Sequence, residues 1–349
     1  MQEEIRLTQF SKGGGCGCKI APSVLQQILQ TPEQKFFPSL LVGNESSDDA
    51  AVFQINNETA LVSTTDFFLP IVDDAFDFGR IAAANAISDV YAMGGTPLMA
   101  IAILGWPIEK LPADLAQKTL EGARSICAEA SIPLAGGHTI DSSDPIFGLA
   151  VTGTVAIPHL KKNSGAKNGD LLFLTKSLGS GVLSTALKRT VLQPQHYASL
   201  IGQLTQLNKI GEALGKNPGV HAMTDVTGFG LLGHLLEMAQ GSGLTAILNY
   251  GALQKMDGLD EYLKQRTIPD ATFRNWNSYS PHVQFEKGVN VMEAFNLLPD
   301  PQTNGGLLIA IDEQSVPELK TLFDKNGLAE FSNPIGRFVE KREKLIVVG

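Results

Sequence analysis

The sequence predicts an α/β protein with two domains. The chain has 349 residues, more than the roughly 250 to 300 at which a single hydrophobic core usually stops growing. Strand-like apolar runs alternate with helical stretches in both halves of the chain. Between the halves, the segment PHLKKNSGAKNGD at 158–170 loses its apolar pattern and fills with Lys, Asn and Gly. We therefore place the domain boundary there, with an N-terminal domain over 1–157 and a C-terminal domain over 158–349.

The first elements are a helix, two strands and a second helix. Pro22 takes the tolerated first-turn position of a helix over SVLQQILQ, whose apolar residues lie on one face. Apolar runs at 50–55 and 59–72 predict two strands joined by a two-asparagine turn. In the helix over DFGRIAAANAISDVYA, alanines permit close packing, and a Gly-Gly pair ends it.

The same alternation continues to the end of the chain. A helix from about Pro112 to Ala130 leads to the strand and turn IPLAGGHTID and to a further strand, FGLAVTGTVA. The second half opens with the strand LLFLTK, a glycine turn and the helix VLSTALK. Later strands are predicted over GVHAMTD, LLIAI and KLIVVG, and an amphipathic helix follows the turn TGFG.

Charge and cysteine content exclude several classes of function. The net charge is -9, from 27 Lys and Arg against 36 Asp and Glu, which disfavours binding to nucleic acid or to anionic membranes. An anionic ligand must then be held locally, by backbone amides, a few lysines or bound cations. Three cysteines are too few for a disulfide framework and favour a reducing, cytoplasmic location. We find no signal-peptide pattern and no bilayer-spanning apolar run, and expect no membrane partner.

Carboxylates stand at the ends of several apolar segments. Carboxylates that converge at strand ends suit Mg²⁺, which binds one or two of them and completes its coordination with water and phosphate oxygens. Such a cation would let an acidic protein hold a polyphosphate. Taken singly, each aspartate is better explained as a helix cap or turn residue, so the hypothesis depends on the set. Asn85 and Asp89 are spaced i, i+4 and share one helix face. The carboxylates are Asp48, Asp49, Asp66, Asp89, Asp141 and Asp225.

Two glycine-rich segments could offer backbone amides to an anion. Gly136-Gly137-His138-Thr139 follows an apolar strand-like run, and TGFGLLGH opens a helix whose N-terminus could bind an anion. Tight turns explain both segments equally well. On that interpretation His138 is a turn residue and His234 a helix-packing residue.

The stretch FSKGGGCGCKIAP places Cys16, Cys18 and Lys19 on a glycine loop near the N-terminus. The lysine could lower a thiol pKa, and a mobile loop would let a thiolate reach a substrate. A terminus with incidental cysteines explains the spacing equally well. A zinc site would need about four ligands, and the sequence supplies no recognisable set. Cys127 lies in a helical run and is predicted to be a core residue.

Seven segments together make the chain similar to the selenophosphate synthetase family over almost its whole length. The resemblance implies a homodimer with the aminoimidazole-ribonucleotide-synthetase-like α/β fold, in which the N-terminal domains share a β-barrel. It implies a reaction of ATP, selenide and water that gives selenophosphate, AMP and phosphate and supplies selenium for selenocysteine and selenouridine. It also implies Mg²⁺ as cofactor, K⁺ as activator and a selenium-delivery protein as a further partner. The segments are GGGCGCKIAP, LLVGNESSDDAAVF, STTDFF, GRIAAANAISDVYAMGG, LAGGHTID, MTDVTGFGLLGH and DPQTNGGLL.

The same resemblance implies the site residues. Cys16 matches the family's catalytic position, and Lys19 matches the lysine that acts with it at ATP. The glycine loop would be a lid that brings the thiol and the cation over the terminal phosphate. The implied magnesium ligands are Asp49, Asp89 and Asp225. The implied nucleotide-binding positions are Lys19, Ser46, Ser47, Asp48, Asp66, Asp89, Gly137, His138 and Thr139. One departure is the Ser46-Ser47 pair, which stands where related sequences often carry Thr-Arg.

Two other classes of protein fit parts of this pattern. The first is another ATP-using enzyme of the same fold, such as a purine-pathway synthetase or a thiamine-phosphate kinase, and the Cys-Gly-Cys-Lys loop counts against it. The second is a noncatalytic thiol carrier for selenium or a metal. The set of aspartates counts against a carrier, and ATP turnover would exclude it.

Overall fold

Two mixed β-sheets, one from each half of the chain, organise the structure. A computed structural model of the protein describes residues 5–11, 13–20, 22–29, 36–43 and 48–349. Ser46 and Ser47, predicted above to bind nucleotide, lie outside the described residues. Among the described helices, none is long and apolar enough to cross a bilayer.

The first sheet has six strands in the order β1-β2-β3-β6-β4-β5. Neighbouring strands are antiparallel except β4 and β5, which run parallel. Strand β5 continues through Gly136 and Gly137, whose φ angles are 145° and 156°. The turn predicted there is therefore wrong, and His138 lies in a strand. The strands are β1 (Leu40–Val42), β2 (Ala51–Gln54), β3 (Thr59–Phe68), β4 (Thr96–Trp106), β5 (Leu134–Asp141) and β6 (Ile146–Ala156).

Helices α1 (Pro22–Leu29), α2 (Ala75–Ala92) and α3 (Ala113–Glu129) confirm the three helices predicted in this half. Helix α2 is buried along nearly its whole length. It packs on the first sheet and on α3, and it also contacts one strand and two helices of the second half. A Cβ atom at Gly79 would lie 1.8 Å from the carbonyl oxygen of Thr119 in α3. Glycine there lets the two helices approach at backbone distance.

The opposite face of the first sheet is open and apolar. Side chains alternate between the two faces of a strand, so residues in register across the sheet share a face. The open face exposes between 45% and 57% of five large apolar side chains. These are Phe53, Phe67, Met99, Ile101 and Ile140. A face of this composition is typical of a surface that another protein subunit covers.

The second sheet has seven strands in the order β10-β13-β9-β12-β7-β11-β8. The pairs β10/β13 and β13/β9 are parallel and the others antiparallel. All four strands predicted in this half are present. The strands are β7 (Leu171–Leu174), β8 (Val220–Asp225), β9 (Leu244–Leu248), β10 (Val283–Phe285), β11 (Leu307–Ile311), β12 (Gly336–Glu340) and β13 (Ile346–Val348).

Helices cover the second sheet and support the turn at 300–306. The backbone N–H groups of Gly181 and Val182, at the start of α4, donate to Asp300 Oδ2 at 3.1 and 3.4 Å. The backbone N–H of Ser180 donates to Gln302 Oε1 at 3.1 Å. These hydrogen bonds fix the turn against α4. Thr303, which follows Gln302 in this turn, lies at the interface between the two domains. The helices are α4 (Ser180–Lys188), α5 (Pro194–Thr205), α6 (Ile210–Lys216), α7 (Gly230–Ser242), α8 (Leu259–Lys264), α9 (Asp270–Tyr279), α10 (Val291–Leu297) and α11 (Val316–Lys325).

Candidate active site

Four carboxylates converge where the two halves of the chain meet. Asp49 precedes β2, Asp66 lies on β3, Asp89 on α2 and Asp225 at the end of β8. Each accepts a short hydrogen bond from a neutral side chain, which orients the carboxylate without neutralising it. The donors are Thr224 Oγ1 to Asp49 at 2.7 Å, Asn85 Nδ2 to Asp66 at 2.5 Å, Thr64 Oγ1 to Asp89 at 2.5 Å and Ser88 Oγ to Asp225 at 2.5 Å.

Three of these carboxylates destabilise one another as anions. Burial raises the pKa of Asp49 and of Asp89, and the charge of Asp225 raises both further. Burial also raises the pKa of Asp225, despite the hydrogen bond from Ser88 and the nearby charges of His234 and Lys19, which lower it. Buried carboxylates that repel one another form an arrangement that a bound cation would relieve.

This cluster fits a Mg²⁺ ion. Asp49 Oδ2 is buried and has no hydrogen-bond partner in the described part of the chain, so one acceptor is available to a ligand. Among the described residues, no three His, Cys, Asp or Glu side chains already lie in a ligating arrangement. Mg²⁺ needs only one or two carboxylates, because it keeps several waters and takes phosphate oxygens as ligands.

The glycine loop lies over this cluster with Cys16 inside. Gly15 has a φ of 53°, and a Cβ atom there would lie 2.4 Å from Thr303 Oγ1, so the turn requires glycine. The backbone N–H of Cys16 donates to Thr303 Oγ1 at 3.0 Å. The Cys16 thiol donates to Asn85 Oδ1 at 3.3 Å, and its side chain is 1% exposed. This packing argues against an incidental cysteine.

Asn85 connects the thiol to the carboxylates. Its Nδ2 donates to Asp66, while its Oδ1 accepts from the Cys16 thiol and from the backbone N–H of Asn304 at 2.7 Å. The side chain is fully buried. Asn85 and Thr303 were not predicted as site residues. For Asn85, its i, i+4 spacing from Asp89 was a signal in the sequence. For Thr303, the only signal was its place in the segment DPQTNGG.

Lys19 brings a positive charge to the site. Its Nζ lies 3.8 Å from Asp66 Oδ2 and 6.0 Å from the centre of the Phe229 ring. Burial lowers the pKa of Lys19, but Asp66, Cys16, Asp89 and Asp225 together raise it above its ordinary value. Lys19 is therefore protonated, and its side chain keeps 36% exposure through which it can meet a ligand.

Lys19 lowers the pKa of the Cys16 thiol, as predicted, but in this conformation burial outweighs that effect. Burial raises the pKa of Cys16 well above its ordinary value, and the charge of Asp66 adds to the effect, whereas Lys19 lowers it by less. Burial likewise raises the pKa of Cys18. Under the closed loop both residues are neutral thiols at neutral pH.

We expect iodoacetamide to modify Cys18 before Cys16 and Cys127 in the native protein at neutral pH. Cys18 is half-buried, while Cys16 and Cys127 are each 1% exposed, and alkylation requires access to the sulfur. Peptide mapping by mass spectrometry over time would measure the three rates. Denatured protein, in which all three thiols should react alike, is the control. Modification of Cys16 first would contradict the closed arrangement of the loop.

The predicted nucleotide-binding residues of β5 lie apart from the carboxylates within one chain. Asp66 is in register with Leu149, Ala102 and Gly137, so three strand spacings, about 14 Å, separate it from β5. His138 is in register with Ile103 and faces the open side of the sheet, whereas Asp66 faces α2. Thr139 and Gly137 are exposed, as is Asp141 at the end of β5.

Asp48 is placed beside the cluster. It accepts a hydrogen bond from the backbone N–H of Asn163 at 2.7 Å, which joins the segment before β2 to the first loop of the second half. The charge of Asp48 contributes to the raised pKa of its neighbour Asp49. The predicted aspartates other than Asp141 are thus brought together.

Both halves of the chain match known domain families. Residues 47–155 match the family described as AIR synthase related protein, N-terminal domain, and residues 167–348 match AIR synthase related protein, C-terminal domain. Solved structures with this fold include thiamine monophosphate kinase from Aquifex aeolicus, at TM-score 0.65 and 18% identity over 93% of this chain and 96% of that chain. Another is hydrogenase maturation protein HypE in complex with ATP, at TM-score 0.66 and 17% identity over 89% of this chain and 86% of that chain. The fold is that of a two-domain AIR-synthase-related protein.

Curated relatives narrow this class. The chain is 53% identical to the selenide, water dikinase of Yersinia pseudotuberculosis over 347 residues, covering 99% of this chain and 98% of that protein. It is 52% identical to the selenide, water dikinase of Pseudomonas putida over 349 residues and the full length of both. The chain belongs to the selenide, water dikinase family.

Proposed function

We propose that this protein makes selenophosphate from ATP, selenide and water and releases AMP and phosphate. The observation that carries the proposal is the position of Cys16, whose thiol is held by Asn85 against the Asp66 and Lys19 pair. A kinase of this fold has no evident need for a thiol at that point, whereas an enzyme that handles selenium does. The family membership given above supports the same activity.

In this proposal the carboxylates bind the metal ion that accompanies the nucleotide. Asp49, Asp89 and Asp225 would hold Mg²⁺, which when bound neutralises phosphate charge and orients the phosphates for in-line transfer. Lys19 places a fixed positive charge at the edge of the cluster and offsets negative charge on the terminal phosphate. The hydroxyl donors Thr64, Ser88 and Thr224 fix the carboxylate orientations before the nucleotide arrives.

The reaction then requires two displacements at phosphorus. Selenide attacks the γ-phosphorus of ATP, a P–Se bond forms as the bond to the β,γ-bridging oxygen breaks, and ADP leaves. Water next attacks the β-phosphorus of ADP, and AMP leaves with release of phosphate. Selenide is a strong nucleophile and needs little activation, but water competes for the γ-phosphoryl group. The glycine loop, held by Thr303 above Cys16, excludes that water, and Cys16 faces the selenium substrate.

A homodimer completes the proposed site. The open apolar face of the first sheet, which includes Met99 and Ile101, supports a β-barrel shared between two N-terminal domains. In such a barrel strand β5 of one subunit, which carries Gly137, His138 and Thr139, would lie beside the nucleotide bound by the other subunit. This accounts for the separation of these residues from the carboxylates within one chain.

Other parts of the proposal depend on the family resemblance. K⁺ as an activator and a selenium-delivery protein as a partner have no counterpart among the contacts described. A cytoplasmic location agrees with the three free cysteines, Cys16, Cys18 and Cys127. The domain boundary between 157 and 158 stays a prediction, as do the nucleotide-binding roles of Ser46 and Ser47.

We expect ATP and selenide incubated with the protein to give selenophosphate, AMP and phosphate. Phosphorus NMR resolves these products in one sample, and reactions without protein or without selenide are the controls. ADP as the sole nucleotide product would contradict the proposal and indicate a kinase of the thiamine-phosphate type. Absence of ATP turnover would indicate a thiol carrier.

A further inference from the structure

A groove of about 700 Å³ lies on the outer side of the glycine loop. One wall is the loop itself, including Gly17 and Cys18. The other walls are helix α4 and the start of helix α9. None of the four converging aspartates lines this groove. The loop therefore has two sides, with the carboxylates below it and the groove outside it.

The groove is positively charged in an otherwise acidic protein. Lys188, Arg189 and Arg274 line it against one carboxylate, Asp270, which leaves an excess of two positive charges. Within the described part of the chain, none of the three cations forms an ion pair, and Asp270 acts on Lys188 only at longer range. A cleft lined by one sign of charge concentrates ions of the opposite sign.

The three cations hydrogen-bond backbone carbonyl groups instead. Lys188 Nζ donates to the carbonyl of Ser11, and Arg274 donates to the carbonyl of Gly17 at 3.0 Å, so both also hold the loop. Arg189 donates to the carbonyl of Arg266 at 2.9 Å, away from the loop. A carbonyl partner leaves the full positive charge available to an anion in the groove.

A single residue separates the groove from the buried thiol. Thr303 lines the groove, and its Oγ1 accepts the hydrogen bond from the backbone N–H of Cys16. Cys18, two residues further along the loop, faces the groove. An anion in the groove is thus next to the loop residues that cover the site, and a small opening of the loop would admit it to Cys16.

We propose that this groove is the route by which the selenium substrate enters, as the hydrogen selenide anion. The inference rests on the proposed function and extends it. The carboxylate side of the loop repels a free anion and suits a nucleotide that brings Mg²⁺ with it. A monovalent anion without a metal needs an approach of the opposite charge, and the groove provides one. The two substrates then reach the γ-phosphorus from opposite sides of the loop.

Arg189 gives the cleanest test, because it contributes charge without holding the loop. For Arg189→Glu we expect kcat/KM for selenide to fall about threefold to tenfold. This is at or below the lower end of the roughly 10- to 1,000-fold effect of electrostatic steering, because Lys188 and Arg274 remain in the groove. Arg189→Gln should show a smaller fall. The kcat at saturating selenide and the KM for ATP should not change. The salt dependence of kcat/KM for selenide should weaken, because salt screens the field that the variant removes.

Lys320→Gln is the matched control. Lys320 lies exposed on α11, outside the groove, and its replacement changes the net charge by the same amount as Arg189→Gln. The proposal is overturned if Arg189→Glu keeps the wild-type kcat/KM for selenide, or if Arg189→Gln keeps that of the Lys320→Gln protein. It is also overturned if Arg189→Glu lowers kcat and raises the KM for ATP together, since that pattern indicates a structural effect.

Alkylation of Cys18 tests the groove without reference to enzyme activity. Iodoacetate is an anion and iodoacetamide is neutral, so the ratio of their rates at Cys18 reports the local potential. We expect Arg189→Glu to lower this ratio relative to wild type and to Lys320→Gln. An unchanged ratio would show that the groove does not attract anions. If wild-type protein makes no selenophosphate, the proposed function fails, and the alkylation ratio still decides whether the groove is an anion site.

Discussion

Replacing Cys16 with serine is expected to lower selenophosphate formation by at least about 100-fold, the scale on which loss of a positioned catalytic side chain acts. Serine is far less acidic and less nucleophilic than cysteine, and it cannot hold selenium as a thiol does. The fold should survive, because a serine hydroxyl can donate to Asn85 Oδ1 as the thiol does, and Thr303 binds the backbone N–H, which every residue except proline retains. Binding of Mg²⁺ and ATP should be largely unchanged.

The measurement is AMP and selenophosphate production by phosphorus NMR, with thermal unfolding and ATP binding measured on the same protein. Cys18→Ser is the matched control, since Cys18 lies two residues away but faces the groove rather than Asn85. We expect the control to keep substantial activity. A Cys16→Ser protein that turns over ATP and selenide at the wild-type rate would refute the role of the thiol, although the loop could still act through Lys19.

The order of helices and strands could be predicted from the sequence because it depends on local periodicity. Strand β11 consists of apolar residues alone, and the buried helix α2 carries apolar and small residues such as the run IAAA, so few alternatives were left. The Gly136-Gly137 pair misled the prediction of β5. Glycine marks turns more often than strands, whereas here Gly137 lies in the strand, where a Cβ atom would be 2.2 Å from the carbonyl oxygen of Ala102.

Motif matching proposed residues for the candidate site, among them Cys16, Lys19 and the aspartates, but it missed Asn85 and Thr303 and could not give the arrangement. Neither the face of the sheet that His138 occupies nor the burial of Cys16 can be read from a motif. Both depend on tertiary register and on packing of the loop against Thr303 and Asn85. The raised thiol pKa follows from that burial, because desolvation outweighs the nearby lysine.

The loop is also fixed by contacts that no sequence pattern indicated. Asp73 accepts hydrogen bonds from the backbone N–H and the hydroxyl of Thr8, at 3.0 and 2.6 Å. Asp73 also forms an ion pair with Arg6, with 2.9 Å between Nε and Oδ2. Arg6 also donates to the carbonyls of Leu187 and Lys188 at the end of α4. The segment before the loop is therefore attached to both halves of the chain, which couples the position of Cys16 to the relative position of the two domains.

Replacing Asp49, Asp89 or Asp225 with asparagine is expected to weaken Mg²⁺-dependent ATP binding at least about tenfold, equivalent to about 1.4 kcal/mol. Asparagine keeps the size of the side chain and its acceptor oxygen but removes the charge that a divalent cation requires. Without Mg²⁺ each variant should be at least as stable as wild type, because the substitution removes repulsion among buried carboxylates. With Mg²⁺ and ATP the wild-type protein should be more stable than the variants, because it binds the ligands more tightly and bound ligand stabilises the folded state.

Thermal unfolding with and without Mg²⁺ and ATP measures both effects in the same protein. Asp257→Asn is the matched control, since Asp257 is exposed and lies outside the cluster, and its response to Mg²⁺ should equal that of wild type. A reversal of the stability order on adding Mg²⁺ is hard to obtain from turn or cap residues, whose loss destabilises the protein under both conditions. If all three variants keep the wild-type response to Mg²⁺, the aspartates are structural, and the nucleotide must be held by other groups.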